Sequence, residues 1–255
     1  METRYPTTAL GLHLYHASLT DVGCRREKNE DALGFFSGGE GSVTYLLTIA
    51  DGVGGSAAGE IASQLAVRAL GESFFRDGDP PDLAAALREA LRAANAAVLA
   101  DAQSNPLHAN MATTCTAAAL RGQELVIGHV GDCRAYLIDG RDFRQLTADH
   151  SMAAEYLSRG EPLPADKQRL ANVLTRWLGS EGTLEPDIGG PYLMPENATL
   201  VLCSDGLTKV VAETEVHEVV AIHMPQGACR RLVDMARERG GPDNITVQIA
   251  RLSRF

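Results

Sequence analysis

Acidic side chains in this 255-residue chain recur in one local setting, the end of an apolar run of strand length. Asp51 follows Tyr45-Leu46-Leu47-Thr48-Ile49-Ala50 directly, and Asp205 follows Thr199-Leu200-Val201-Leu202-Cys203-Ser204. Asp132 follows the stretch Leu125–Gly131, Asp243 stands just before Asn244-Ile245-Thr246-Val247, and Glu30-Asp31 open the short stretch Ala32–Phe36. A strand end holds a side chain on a rigid frame, and an adjacent glycine lets backbone approach an ion closely. Hard divalent cations such as Mg²⁺ and Mn²⁺ take oxygen ligands and retain waters, so carboxylates gathered without His or Cys suit them better than zinc. Asp51-Gly52, Asp205-Gly206 and Asp243-Asn244 are also ordinary turn dipeptides. Position alone leaves both readings open.

The elements that must carry these acids can be read from periodicity. Leu12–Ser18, Ala32–Phe36 and Val43–Ala50 read as strands, the last stopping at Asp51-Gly52. Ile61, Leu65, Ala69, Leu70 and Phe74 recur at helical spacing. After Pro80-Pro81, Asp82 opens a longer amphipathic helix through Leu83, Leu87, Leu91, Ala94 and Val98. Strand signals return over Ala112–Leu120, Glu124–Val130, Arg134–Ile138 and Phe143–Leu146, with a turn at Asp139-Gly140. Ser151–Arg159 reads as a short helix, Gly160–Asn197 as an irregular proline-bearing segment, and Thr199–Cys203 as a strand. A helix around Cys229, Leu232, Val233 and Ala236 and a strand over Ile245–Leu252 end the chain. Strands, two helices, a meander, then helices and a final strand make an α+β pattern rather than alternating β-α-β-α.

Composition narrows the function. Hydrophobic content of 45% with 22% charged residues is enough for a sizeable core in a single domain. The formal net charge of −10 and the lack of a basic stripe exclude a nucleic-acid partner. Five widely spaced cysteines without a Cys-x-x-Cys pair read as reduced thiols, four of them in apolar surroundings. No basic segment followed by an apolar run opens the chain, and no stretch reaches the roughly 20 apolar residues of a membrane helix, so the expected location is the cytoplasm. Gly54-Gly55-Ser56-Ala57-Ala58-Gly59 has the glycines of a phosphate loop, but Glu60 stands where lysine is needed, and an acid there repels nucleotide phosphates. Cys203-Ser204-Asp205-Gly206 lacks the frame of a nucleophile elbow.

Taken in order, the acid-bearing segments resemble the motifs of the type 2C protein phosphatases, the metal-dependent Ser/Thr phosphatases, in their compact bacterial form. Thr20–Asp31 resembles the opening motif, Asp51-Gly52-Val53-Gly54-Gly55 the second, and Gly131-Asp132-Cys133-Arg134 the third. Ser204-Asp205-Gly206-Leu207 and Asp243-Asn244 complete the set, and Met111–Thr114 and Thr147–Ser151 fall where the family has similar segments. The resemblance implies one phosphatase domain over residues 1–255, a four-layer αββα sandwich of two antiparallel sheets flanked by helix pairs, with metals between the sheets at one end. It implies that Asp51 bridges two Mn²⁺ or Mg²⁺ ions, Glu30 binds the second, and Asp205 and Asp243 bind the first with the Gly52 carbonyl nearby. Asp31 would hold waters behind them, and Asp132 with Asp205 would make a weaker third site. Of Arg25 and Arg26, the family spacing selects Arg26 as the grip on substrate phosphate, where a guanidinium fork matches two oxygens.

The implied reaction is hydrolysis of phosphoserine or phosphothreonine in proteins by water activated between two cations, without a phosphoenzyme. The expected partners are phosphoproteins modified by an opposing Ser/Thr kinase, and the expected state is a monomer. One position departs from the family: many members carry His after the second motif's Asp-Gly as a proposed general acid, and this chain has Val53. His150 is a candidate substitute, against the simpler reading of a structural histidine in a turn. Gly160–Gly182 is expected to form a mobile flap beside the site. Two rival readings remain, a catalytically silent phosphoprotein-binding relative and a metal-dependent phosphatase of small phosphate esters.

Overall fold

The structure, a computed structural model, describes residues 3–6, 11–53, 58–162, 169–170 and 172–254. The chain runs β1 (Thr3–Pro6), β2 (His13–Asp21), β3 (Asp31–Ser37) and β4 (Thr44–Asp51), then helices α1 (Gly59–Phe74) and α2 (Leu83–Ser104). Next come β5 (Cys115–Arg121), β6 (Glu124–Val130), β7 (Arg134–Asp139), β8 (Asp142–Gln145) and the short α3 (Met152–Ser158). The last part holds β9 (Asp187–Leu193), β10 (Thr199–Cys203), α4 (Asp205–Thr208), α5 (Glu213–Ile222), α6 (Pro225–Glu238) and β11 (Ile245–Ser253).

The strands form two antiparallel sheets, one of six strands in the order β1-β2-β11-β10-β7-β8 and one of five in the order β3-β4-β5-β6-β9. Each sheet is covered outside by a helix pair and packs its inner face on the other sheet. Strand periodicity shows how one run serves two cores. In β4, Tyr45, Leu47 and Ile49 enter the inter-sheet cluster, while Leu46 joins α1 and α2 on the other side. In β10, Leu200 and Leu202 face the opposite sheet and Val201 and Cys203 face α5 and α6. A strand buried on both faces reads as a continuous apolar run, which is why these strands do not alternate cleanly. Full burial of each such side chain contributes about 1.5–3 kcal/mol.

The helix over residues 83–104 begins as expected, with the Asp82 side chain accepting from the amides of Ala84 (2.9 Å) and Ala85 (3.0 Å). Five described elements lie outside the sequence reading: β1, β9, α4, α5 and a single 3-10 turn at Pro106–His108. The segment Gly160–Asn197 is therefore not irregular throughout, because residues 187–193 pair with β6. Gly189-Gly190-Pro191 disguises that strand, and it is tolerated because β9 lies at a sheet edge. Helix α5 is rich in valine, a weak helix former, and is held by burial of Val216, Val219 and Val220 against the six-stranded sheet.

Part of the expected flap, residues 163–168 and 171, lies outside the described residues. Beyond it the chain is pinned: Leu174 bridges to Ser151 and Leu178 to Thr113, and the Asn95 side chain accepts from the amides of Gly179 and Ser180.

Candidate metal centre

Antiparallel register brings the acids to one end of the sandwich. Asp31 at the start of β3 pairs with Asp51 at the end of β4. In the facing sheet, Cys203 at the end of β10 pairs with Arg134 and Val247, which places Asp205, Asp132 and Asp243 beyond the same edge. A cleft of about 410 Å³ opens there, and Arg26, Asp51, Asp132, Asp205, Lys209 and Asp243 all line it. Glu30, Asp31 and Gly52 are not among the residues that line it. Arg25 is exposed and takes no part in it.

The backbone behind the cleft is closely interlocked. The Gly52 amide donates to the Glu30 carbonyl at 3.1 Å, and a Cβ on Gly52 would lie 2.3 Å from the carbonyl oxygen of Gly59. Only glycine fits where β4 passes under the start of α1. The amide of Asp51 donates to the Thr114 hydroxyl (3.0 Å), and its carbonyl accepts from the amide of Thr114 (2.8 Å). Asn244 organises the opening loop: its side-chain amide donates to the carbonyls of Val22 and Lys28, and its oxygen accepts from the Glu30 amide, each at 2.9 Å.

Asp31 joins the two sheets. Its Oδ2 accepts from the hydroxyls of Ser204 (2.8 Å) and Thr246 (2.6 Å), while Oδ1 is buried without a partner among the described residues. Asp205 Oδ1 is likewise buried and unpaired. Burial raises the carboxyl of Asp31 to about 6 against the pull of these two hydroxyls. Burial and the nearby charge of Asp205 raise Asp132 to about 7. Asp51 is pushed well above its ordinary value by burial and by the charges of Asp31, Asp205 and Asp132. Burial also lifts Glu30, only partly offset by Arg26, and lifts Asp205 despite Lys209. Asp243 goes the other way, because the hydrogen bond and charge of Lys209 outweigh its burial.

This is a cluster of hard oxygen donors with more negative charge than its protein partners neutralise. Two unpaired buried carboxylate oxygens and five acids raised chiefly by burial, with neighbouring negative charge adding to it, fit an oxygen-seeking divalent cation. The described side chains do not form a finished cage: no three of His, Cys, Asp or Glu among them converge tightly enough to enclose an ion. Two cationic side chains draw on them instead. Arg26 binds Asp243 through Nε (2.8 Å) and Nη2 (3.1 Å) and lies 3.7 Å from Glu30. Lys209 places Nζ 2.6 Å from Asp205 Oδ2 and 2.7 Å from Asp243 Oδ2.

Lys209 is the charged cleft residue that sequence reasoning missed. Its signal was its place four residues after Asp205, which a single helical turn converts into contact. His150, the candidate substitute acid, is not among the residues that line the cleft. Its Nδ1 accepts from the Gly131 amide at 3.0 Å, and its Nε2 faces Asp187 at 3.1 Å, so it fastens the Gly131-Asp132 turn. Val53 lines the cleft at the position where many family members have histidine. Four cysteines are buried free thiols and Cys24 is exposed, as expected. Among the described residues no helix is long and apolar enough to cross a membrane.

Residues 25–235 match the family model described as protein phosphatase 2C. The chain is 36% identical over 236 residues to the serine/threonine phosphatase stp of Listeria monocytogenes, an alignment spanning 89% of this chain and 92% of that protein. It is also 36% identical to the serine/threonine protein phosphatase PstP of Mycobacterium tuberculosis, over 94% of this chain and 45% of that longer protein. The crystal structure of the PstP catalytic domain in complex with two manganese ions superposes with a TM-score of 0.81 at 34% identity, covering 95% of this chain and 99% of that one. With the family model over most of its length, relatives at this identity and the αββα sandwich in common, the chain belongs to the protein phosphatase 2C family of metal-dependent serine/threonine protein phosphatases.

Proposed function

We propose that the cleft is a binuclear Mn²⁺ or Mg²⁺ centre in which Asp51 is shared between two ions, Glu30 serves the second, and Asp205 and Asp243 serve the first. The Gly52 carbonyl lies near the first ion, and Asp31 holds metal-bound waters from behind. Asp132 with Asp205 offers a third, weaker position. The ions would supply the positive charge that activates a water for attack on phosphorus and offsets charge on the phosphoryl oxygens. Arg26, at the mouth of the cleft, exchanges carboxylate contacts for phosphoryl oxygens and fixes the ester for in-line displacement. No protein nucleophile is needed: Cys133 and Cys203 are buried thiols whose pKa burial raises, Cys203 to about 12.

The observation that carries this reading is the convergence of four acids, Asp51, Asp132, Asp205 and Asp243, on one cleft, with one oxygen each of Asp31 and Asp205 buried and unpaired among the described residues. The substrates are phosphoserine and phosphothreonine proteins made by an opposing kinase, and the enzyme acts as a cytoplasmic monomer. The silent-relative reading is disfavoured because every carboxylate of the set is present. The test is phosphate release from a phosphothreonine peptide by metal-stripped protein on adding Mn²⁺ or Mg²⁺. Wild type turns over, and Asp51→Asn loses at least ~100-fold in kcat/KM. Absence of release with either ion would leave the binding-only reading, and release from nucleotides alone would leave the small-ester reading.

A further inference from the structure

The strongest unexplained feature is the position of one ammonium. Lys209 ends the short turn that begins at Asp205, and its Nζ lies between Asp205 Oδ2 (2.6 Å) and Asp243 Oδ2 (2.7 Å). Its side chain is only 30% exposed, and it lines the cleft with those same two acids. The second Asp205 oxygen is buried and unpaired, whereas both Asp243 oxygens also accept from Arg26, so the ammonium stands between a donor-poor carboxylate and a well-paired one. Asp205 and Asp243 are the two carboxylates assigned above to the first ion, and the inference rests on that assignment.

We propose that Lys209 is a resident counter-cation of this position: it holds Asp205 and Asp243 together in the metal-free protein and is displaced when the first ion binds. A monovalent ammonium and a divalent ion cannot share the same two oxygens without strong repulsion. Entry of the ion therefore requires Lys209 to give up two charge-assisted hydrogen bonds, and the metal-free protein is correspondingly protected from the repulsion of its own acids. Lys209 is thus a positioning residue that sets how tightly this protein holds its first ion. Metal affinity in this chain depends on a competitor supplied in cis, four residues from a ligand.

The test is calorimetric titration of metal-stripped protein with Mn²⁺, together with thermal melting in EDTA and in saturating Mn²⁺. Lys209→Gln keeps the length and removes the charge. It should bind the first Mn²⁺ about tenfold more tightly or better, the equivalent of losing one charge-assisted hydrogen bond from the competing state. Its melting temperature should fall below wild type in EDTA, and the gap should close with Mn²⁺. Lys209→Arg, which keeps the charge, should bind Mn²⁺ close to wild type. Arg92→Gln, which removes a charge on α2 that is paired with Glu89 and Glu185, should leave Mn²⁺ affinity within about twofold.

Unchanged or weaker Mn²⁺ binding in Lys209→Gln overturns the proposal. Should that variant not survive metal stripping, it can be purified with Mn²⁺ and challenged with EDTA. Slower metal loss than wild type supports displacement, and equal or faster loss overturns it. Asp205→Asn titrated in parallel separates the two levels of inference. If Asp205→Asn binds Mn²⁺ like wild type, the ligand assignment fails; if it loses an ion while Lys209→Gln is unchanged, only the role of Lys209 fails.

Discussion

Replacing Thr246 by valine removes one hydroxyl from the junction between the sheets and should destabilise the metal-free protein more at pH 7.5 than at pH 5. Valine matches threonine in shape and suits a strand, so the substitution reports on the hydrogen bond rather than on packing. Thr246 is fully buried on β11 and lies 2.6 Å from Asp31 Oδ2 and 2.7 Å from the Thr20 hydroxyl. Asp31 has a carboxyl raised from 3.8 to about 6, so between those values the folded protein keeps a proton that the unfolded chain releases. Stability therefore falls as pH rises through this window, the reverse of a salt-bridged aspartate. At pH 5 the Asp31 carboxyl is mostly neutral, and losing one donor costs about 1 kcal/mol. At pH 7.5 it is mostly charged, and losing a hydrogen bond to a charged group costs about 1.5–3 kcal/mol. Urea unfolding in EDTA at the two pH values gives the difference directly, and acids common to both proteins cancel. In a domain of this size each kcal/mol shifts the melting temperature by about 2–4 °C, so melting offers a second reading. A penalty equal at both pH values, or larger at pH 5, would refute the argument that Asp31 is a carboxylate held charged by hydroxyls.

Arg26→Lys keeps the charge and loses the fork, so kcat/KM for a phosphopeptide should fall about 10- to 100-fold while Mn²⁺ still binds; wild-type kinetics would remove Arg26 from substrate recognition. Gly206→Ala would put a Cβ 1.9 Å from the Asn244 carbonyl oxygen, a backbone clash that should lower the melting temperature by about 4–10 °C. Asp51→Asn, the inactive control, should melt higher than wild type in EDTA, because it removes a buried carboxylate repelled by Asp31, Asp205 and Asp132; a lower melting temperature would show that the acids are not frustrated without metal.

Much of the architecture was legible because its strands are buried on both faces and stand out as apolar runs. Tyr45–Ala50 and Thr199–Cys203 were recognisable from composition alone, and the Asp82 cap marked the second helix. What escaped lacks those signals. Residues 187–193 carry two glycines and a proline at a sheet edge, and α5 is a short valine-rich helix stabilised by tertiary packing. At the site, the acids were visible because they follow strands directly, and the cleft gathers Asp51, Asp132, Asp205 and Asp243 with Arg26. Lys209 was not visible, since its meaning depends on a single helical turn aiming it back at Asp205 and on Asp243 arriving from β11. His150 shows the opposite failure, a chemically attractive residue whose ring is spent on the Gly131 amide and Asp187.

Why the motifs occur together follows from what their second residues do. In Asp51-Gly52, Asp205-Gly206 and Asp243-Asn244 the acid points at the cleft, and its neighbour interlocks with another motif. Gly52 lets β4 pass against the carbonyl oxygens of Gly59 and Glu30, so Asp51 is placed by the opening loop that carries Glu30. Gly206 lets the turn after β10 rest on the carbonyl of Asn244, so Asp205 is placed by the start of β11. Asn244 then holds the carbonyls of Val22 and Lys28 and the amide of Glu30, which returns the chain of constraint to the loop bearing Arg26. These acids are thus positioned through contacts between neighbouring motifs, a circuit that the Ser204 hydroxyl closes by donating to Asp31 and that spans sequence separations of up to 222 residues. A circuit of this kind should tolerate the loss of an acid better than the loss of a hinge: an Asp→Asn change leaves the frame standing, whereas a change at Gly206 or Asn244 displaces several of the acids at once. The joint presence of the motifs is accordingly a mechanical requirement of the fold as much as a chemical one.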